Sequence, residues 1–398
     1  MEENLDFLGF NPADVFDQPT SRNASNGNAN NLIYKPRPDE SVSEDGIYRS
    51  TIQVIYSPQT FVHIDAAGNV RYGWDERSIL HQQTYSLHDA HGWLTVVSSL
   101  TNNDTSCPLF TAWKKCHFSK PEESDAARVL YNQALSVDKG GKGLFNRRQP
   151  CYATIRVIED ANHPEYNGQY MFMKLPKSIR ELIETASKTS EADNHPGIPV
   201  MDLLYGRAIK LQVIPGEDDK AHPERRLREQ SYKGTITKGV VTCTYPDGTS
   251  VLTDDEQRIL NEYINEMKQR VWDNDEWETM SSTTFKEKLA ETINDIRSKE
   301  NTKKVGAIYK KAIEKFATFI PDLNDELGYK EWSPEVKARV QSWIDIVLSG
   351  NDPAAVSVQA ALTPEATAAI DTAPVTAPQT AAPTQPVVNA DPFDDLPF

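Results

Sequence analysis

Two stretches of the chain alternate apolar and polar residues with a period of two, which is typical of half-buried β-strands. The first covers residues 151–157 and the second covers residues 169–175, and Pro164-Glu165-Tyr166-Asn167-Gly168 forms a turn sequence between them. We therefore predict two paired strands with an apolar face toward the core. The opposite face would carry Tyr152, Arg156, Tyr170, Phe172 and Lys174.

That second face mixes aromatic rings with cations. If it is exposed, it suits single-stranded nucleic acid, because bases stack on rings and phosphates attract guanidinium and ammonium groups. Aromatic residues are also common in strands for packing alone. Another segment of the chain could therefore cover Tyr170 or Phe172.

Other patterns predict the remaining elements. Alternation predicts a strand at residues 47–56, a hairpin at 61–72 and strands at 93–100 and 207–214, which would complete the same sheet. Helical periodicity predicts helices at 124–136, 253–272, 284–299, 303–319 and 333–348. Thr253 and Glu256 form a capping-box sequence, and Gly350 would end the last helix.

These elements predict an α+β fold with five segments. They are a disordered N-terminal arm (1–44), a strand-rich core (45–250), a helical accessory module (251–350), an Ala/Pro/Thr-rich linker (351–390) and an acidic tip (391–398).

The stretch from residue 144 to residue 183 resembles the core of the T-even phage type of helix-destabilising single-stranded DNA-binding protein. The similarity needs no gap and includes Leu144, Arg147, Arg148, Tyr152, Ala153, Ile155, Val157, Asp160, Pro164, Glu165, Gly168, Lys177, Ile179 and Ile183. The resemblance implies a five-stranded oligonucleotide-binding (OB-like) barrel with a cationic groove. We expect Tyr152, Tyr170 and Phe172 to stack on bases, and the backbone to be held by Arg147, Arg148, Arg156 and Lys174.

Aromatic residues and lysines also alternate within residues 110–120. Phe110, Trp113 and Phe118 lie close in sequence to Lys114 and Lys115. This composition favours a flap over the groove, with Lys142 in a Gly-rich lip at 140–143. A small helical subdomain with a solvated basic face would give the same pattern.

The charged residues are unevenly distributed along the chain. The 398-residue chain has a net charge of −16. Residues 104–180 contain 12 Lys and Arg against 8 Asp and Glu, whereas residues 351–398 contain 0 against 6. The first segment is therefore suited to phosphates, and the acidic end can suppress nonspecific contact with it.

The same region contains His and Cys residues that are candidate metal ligands. In the resembled family one His and three Cys hold zinc, and Ser106-Cys107-Pro108 matches part of that element. The zinc ligands here would be His91, or alternatively His88, together with Cys107, Cys116 and His117. Ordinary thiols and surface imidazoles are the alternative, and we expect no cofactor.

The last residues resemble the acidic tip of bacterial single-stranded DNA-binding proteins. The tip includes Asp391, Phe393, Asp394, Asp395, Leu396, Pro397 and Phe398. The resemblance implies that the terminal ring and carboxylate enter a partner's apolar, basic-rimmed pocket. The expected partners are replication, recombination and repair proteins.

No phosphate-binding loop and no zinc-protease motif occurs, so we expect no enzyme activity. With only 4 cysteines and no signal peptide or long apolar run, we expect a cytoplasmic protein (host cytoplasm if viral) without membrane contact.

The sequence thus predicts a protein that coats and protects single-stranded DNA and recruits enzymes, with possible self-association on DNA. The alternatives are a scaffold or recombination mediator that acts through the helical module, and a metal-dependent nuclease.

Overall fold

The fold was analysed in a computed structural model, which describes residues 32–64, 70–72, 78–135, 143–216 and 230–355. The described strands are β1 (Ile33–Tyr34), β2 (Tyr48–Ile55), β3 (Val62–Ile64), β4 (Val70–Tyr72), β5 (Ile79–His81), β6 (Thr84–Asp89), β7 (Gly92–Val97), β8 (Asn146–Arg148), β9 (Cys151–Asp160), β10 (Tyr170–Lys174), β11 (Gly206–Ile214) and β12 (Ser231–Val241). The described α-helices are α1 (Pro108–His117), α2 (Asp125–Ala134), α3 (Lys177–Ser187), α4 (Asp254–Met267), α5 (Ser282–Ser298), α6 (Glu300–Phe316), α7 (Leu323–Leu327) and α8 (Pro334–Leu348). The chain therefore has a mixed α+β fold.

The described residues divide into two compact units. The large unit takes those of Met1–Gln82, Thr101–Asp104 and Gln149–Glu331, and the small unit takes those of Gln83–Leu100, Thr105–Arg148 and Trp332–Phe398.

The large unit is built on one sheet with the strand order β1-β10-β9-β2-β11-β12, and β5 also pairs with β9. β1 runs parallel to β10, and the other pairs are antiparallel. Among the described residues, β1 and β12 lie at opposite edges and no pairing closes the sheet. The alternation that predicted β9 and β10 is confirmed, since Tyr170 lies opposite Arg156 and Lys174 lies opposite Tyr152.

Helices α4 to α6 pack against this sheet rather than forming a module of their own. One hydrophobic core contains Ile155 and Leu211 from the sheet together with Leu260 and Phe316 from the helices. The compact units therefore follow a different division from the predicted domains, because the apolar faces of these helices are buried against the strands. The predicted capping box is confirmed: Thr253 Oγ1 accepts a hydrogen bond from the Glu256 amide, and Glu256 Oε2 accepts one from the Thr253 amide.

The small unit contains a three-stranded antiparallel sheet with the order β7-β6-β8. Its core joins Tyr85 and Leu87 of β6 to Leu109 of α1 and Trp343 of α8. The prediction that residues 93–100 complete the main sheet is wrong. Instead, β7 pairs with β6 in a tight hairpin, and β6 is a strand that we did not predict. Local pairing of this kind closes only a short loop, so its entropic cost is low.

None of the helices in the described part of the chain combines the length and the apolar character needed to cross a bilayer.

Candidate nucleic-acid interface

The predicted stacking face of β9 and β10 exists, but it is covered. Phe172 is 0% exposed and packs with Leu80 of β5 and with Leu323 and Leu327 of α7. Tyr170 is 5% exposed. Neither ring is accessible to a base in this arrangement, because side chains from distant parts of the chain cover both rings.

Tyr170 and Arg156, which lies opposite it on β9, also form hydrogen bonds with residues 242–244. The Tyr170 hydroxyl donates to the Thr244 carbonyl oxygen at 2.6 Å, and its ring meets Phe319 edge-on at 5.7 Å. Arg156 Nη1 donates to the Thr242 carbonyl at 3.2 Å, and Nη2 donates to Thr244 Oγ1 at 2.6 Å. These bonds hold the guanidinium against the chain's own backbone, which explains why a cation is tolerated on a covered face.

The other predicted residues of the large unit are more accessible. Lys174 is exposed at the end of β10, and Tyr152 is half-buried opposite it. Burial raises the pKa of the Tyr152 hydroxyl, so this ring is neutral at physiological pH. Five residues were predicted on this face. Lys174, Tyr152 and part of Arg156 retain contact with solvent.

Arg147 and Arg148 belong to the small unit, on β8, and point to opposite faces of its sheet. Arg147 pairs with Tyr85 on the core side, where its guanidinium lies 5.5 Å from the Phe110 ring and 5.8 Å from the Trp113 ring. Its Nη2 donates to Gln83 Oε1 at 3.2 Å. Arg148 lies on the outer side, and its Nε donates to Asn146 Oδ1 at 3.3 Å.

Helix α1 carries a ladder of stacked rings. Phe110 and Trp113 are parallel within 7° at 5.8 Å, and Trp113 and His117 are parallel within 13° at 4.7 Å. His117 continues to Tyr131 of α2 at 6.2 Å. The spacing of three and four residues places the first three rings on one side of α1.

Lysines and one exposed ring border this ladder. Lys114 Nζ lies 4.2 Å from the centroid of Phe110, and Lys115 is exposed on the next position. Phe118, directly after α1, is 71% exposed. Residues 105–121 contain three lysines and no acidic residue. We call this surface, formed by Phe110, Trp113, Lys114, Lys115, His117, Phe118 and Arg147, the α1 surface.

The sequence pattern indicated only part of the α1 surface. It singled out the lysines and the rings of residues 110–118, but it assigned His117 to a zinc set and overlooked Tyr131. The helical spacing of Phe110, Trp113 and His117 was the signal that could have found the ladder.

The side chains considered for zinc are not assembled into a site. Cys107 accepts a hydrogen bond from Ser98 Oγ at 3.0 Å, while His117 stacks on rings and His91 is exposed on a hairpin. Burial raises the pKa of the Cys116 thiol to about 11. In the part of the chain that the structure describes, no three His, Cys, Asp or Glu side chains come together in a way that could hold a metal ion.

Several predicted residues lie outside the described residues. They are Lys142, most of the N-terminal arm and the acidic tip with Asp391, Phe393, Asp394, Asp395, Leu396, Pro397 and Phe398.

No model of a known protein family matches the chain, and no curated protein matches it.

Proposed function

We propose that this chain is a single-stranded DNA-binding protein whose strand contacts centre on the α1 surface. The observation that carries the proposal is a set of stacked and exposed rings beside Lys114 and Lys115, in an acid-free stretch of an acidic protein, with the Arg147 guanidinium over two of the rings. Nucleobases stack on such rings, and the lysines neutralise phosphates. The resemblance of residues 144–183 to phage single-stranded DNA-binding proteins supports the same assignment.

Preference for a single strand follows from the chemistry of this surface. In a duplex the base faces are already stacked on one another, so a protein ring gains little by approaching them. An unpaired strand offers its base faces, and each base stacked on a protein ring stabilises the complex by about 1–3 kcal/mol. Phe118 is the ring of the α1 surface best placed to take a base, because it is largely exposed.

The large unit would be an OB-like domain of the same protein. Five antiparallel strands of this unit, β10, β9, β2, β11 and β12, equal the number in an OB-like barrel. A closed barrel would also need a pairing between the edges of the sheet, which is not among the described pairings. Lys174 and Tyr152 would be the strand-contacting residues of that unit.

The acidic tip would recruit replication, recombination and repair enzymes to the coated strand. The support for this role is the sequence similarity of residues 394–398 to bacterial tips.

The proposal is tested by titrating a labelled poly-pyrimidine single strand, and the matching duplex, with the full-length protein at several salt concentrations. We expect salt-sensitive binding that strongly favours the single strand. Phe118→Ala should weaken that binding about fivefold or more, since one stacked base is lost.

Val42→Ala is the matched control. Val42 is 70% exposed and Phe118 is 71% exposed, so neither substitution disturbs a core, and Val42 belongs to the large unit. Equal binding of single strand and duplex, or an equal effect of the two substitutions, would contradict the proposal.

A further inference from the structure

The small sheet has an outer face that the α1 surface does not use. Its inner face carries Tyr85 and Leu87, which enter the core. Residues that lie directly opposite one another in an antiparallel pair point to the same side. The outer face therefore comprises three rows: Trp93 with His88, Thr95 with Ser86 and Asn146, and Val97 with Thr84 and Arg148.

The middle of this face carries small side chains. The central-strand side chains Thr84 and Ser86 are small and buried, and Ser86 Oγ lies 2.9 Å from Thr95 Oγ1. On one side β7 presents exposed Trp93 and Thr95. On the other side β8 presents the half-buried Arg148 guanidinium. Because Thr84 and Ser86 are small, a flat ligand has room between Trp93 and Arg148.

An exposed tryptophan lies at one end of this face. The Trp93 indole is 51% exposed and stacks on His88, with ring centroids 4.7 Å apart and planes 24° apart. The imidazole fixes one face of the indole, so its remaining surface is presented in one orientation. A large amphipathic ring held in this way is typical of energetically dominant binding contacts.

The hairpin that carries this ring is anchored from below by α8. Arg339 binds the Asp89 carboxylate through Nε and Nη2, both at 2.8 Å, and Nη2 also donates to the Gly92 carbonyl oxygen at 2.8 Å. Trp343 Nε1 donates to the His88 carbonyl at 3.0 Å. Pre-organisation of this kind lowers the entropy cost of binding a ligand at the hairpin.

The charge of the face fits an anionic ligand. None of the eight residues in its three rows is acidic, and Arg148 adds a permanent positive charge. Asp89, the acidic residue of the hairpin, is neutralised by Arg339. The whole chain carries a net charge of −16, so an acid-free face with a cation at one end differs from the rest of the protein.

We propose that this outer face is a second contact site for the single strand, with a base stacked on Trp93 and a phosphate near Arg148. The three rows span five residues of β6, Thr84 to His88, or about 14 Å, which corresponds to at most about four stacked nucleotides. This inference rests on the proposed function, but it concerns a different surface from the α1 surface.

The test uses the full-length protein and oligothymidylates of increasing length. Trp93→Thr removes the ring and keeps strand propensity, since threonine is β-branched. We expect it to weaken binding of long strands at least about fivefold, with a smaller effect on the shortest strands that bind. Trp93→Phe should keep affinity within about twofold, because a stacking ring remains.

Fluorescence gives a second readout. The chain has 7 tryptophans, so the quenching that a long strand causes in the Trp93→Phe protein is subtracted from that in the wild type. A positive difference is expected, since a stacked base quenches the indole directly. Equal thermal unfolding of the two Trp93 variants and the wild type serves as the control for folding.

The outcomes separate the two proposals. If the wild type binds single strands and Trp93→Thr binds every length equally well, the second site is refuted and the proposed function stands. That result would leave the face to a protein partner. If the wild type binds no single strand, the proposed function itself fails.

Discussion

Replacing Lys114 and Lys115 together with glutamine should flatten the salt dependence of strand binding. Both side chains are exposed on α1, and among the described residues no acidic group forms an ion pair with either of them. The substitution therefore leaves no carboxylate unpaired there. Glutamine keeps nearly the same helix propensity as lysine, so α1 should remain folded.

The magnitude follows from counterion release. Each phosphate neutralised on a single strand contributes about 0.7 to the slope of log affinity against log salt, so two contacts contribute about 1.4. Over a tenfold increase in salt, the wild type should lose about 25-fold more affinity than the double variant. Fluorescence anisotropy of a labelled oligothymidylate, measured across a salt series, gives both slopes.

Lys303→Gln with Lys304→Gln is the matched control. These lysines are also adjacent and exposed on a helix, but they lie on α6 of the large unit. Lys303 is 3.9 Å from Glu300, and an exposed pair of this kind contributes little to stability. If both double variants flatten the slope equally, the effect comes from net charge. An unchanged slope in the Lys114/Lys115 variant would refute the role of the α1 surface.

Two further predictions concern the large unit. Phe172→Ala should lower the free energy of unfolding by about 3–5 kcal/mol, because the ring is fully buried. Val42→Ala, at an exposed position, should change it by less than about 0.5 kcal/mol. Urea denaturation measures both values, and a small loss for Phe172→Ala would mean that the ring is not packed. Burial raises the pKa of Asp202 from 3.8 to about 6, although the Tyr309 hydroxyl donates to this carboxylate at 2.6 Å. Since the folded-state pKa is raised, this acid supports folding most below pH 3.8, and its contribution is lost as the pH rises toward about 6. The wild-type free energy of unfolding minus that of Asp202→Asn should therefore fall across this window, and a flat difference would contradict the assignment.

Local patterns predicted most of the strands and helices because these elements depend on neighbouring residues. Alternation located β2, β9 and β11, and the period of 3.6 residues located α4, α5, α6 and α8. The pairing of β9 with β10 and the residues that share a face were also predicted, because a turn connects the strands and alternate side chains point to opposite sides.

The sequence did not reveal which faces are covered, because that depends on residues far apart in the chain. Phe172 on β10 and Leu323 on α7 are about 150 positions apart, and their contact has no signal in either local pattern. The same limit applies to α1, whose rings carried the right composition but whose stacking became evident only in three dimensions.

By itself, the sequence determined most of the secondary structure, the mixture of aromatic rings with cations in residues 110–120 and 144–174, and the acidic character of the final residues. Only the tertiary structure decided that Tyr170 and Phe172 are buried while Phe118 and Trp93 remain exposed. The reason is physical. Period and propensity are set by backbone geometry over a few residues, whereas the exposure of a ring is set by whichever distant apolar groups gain free energy by covering it.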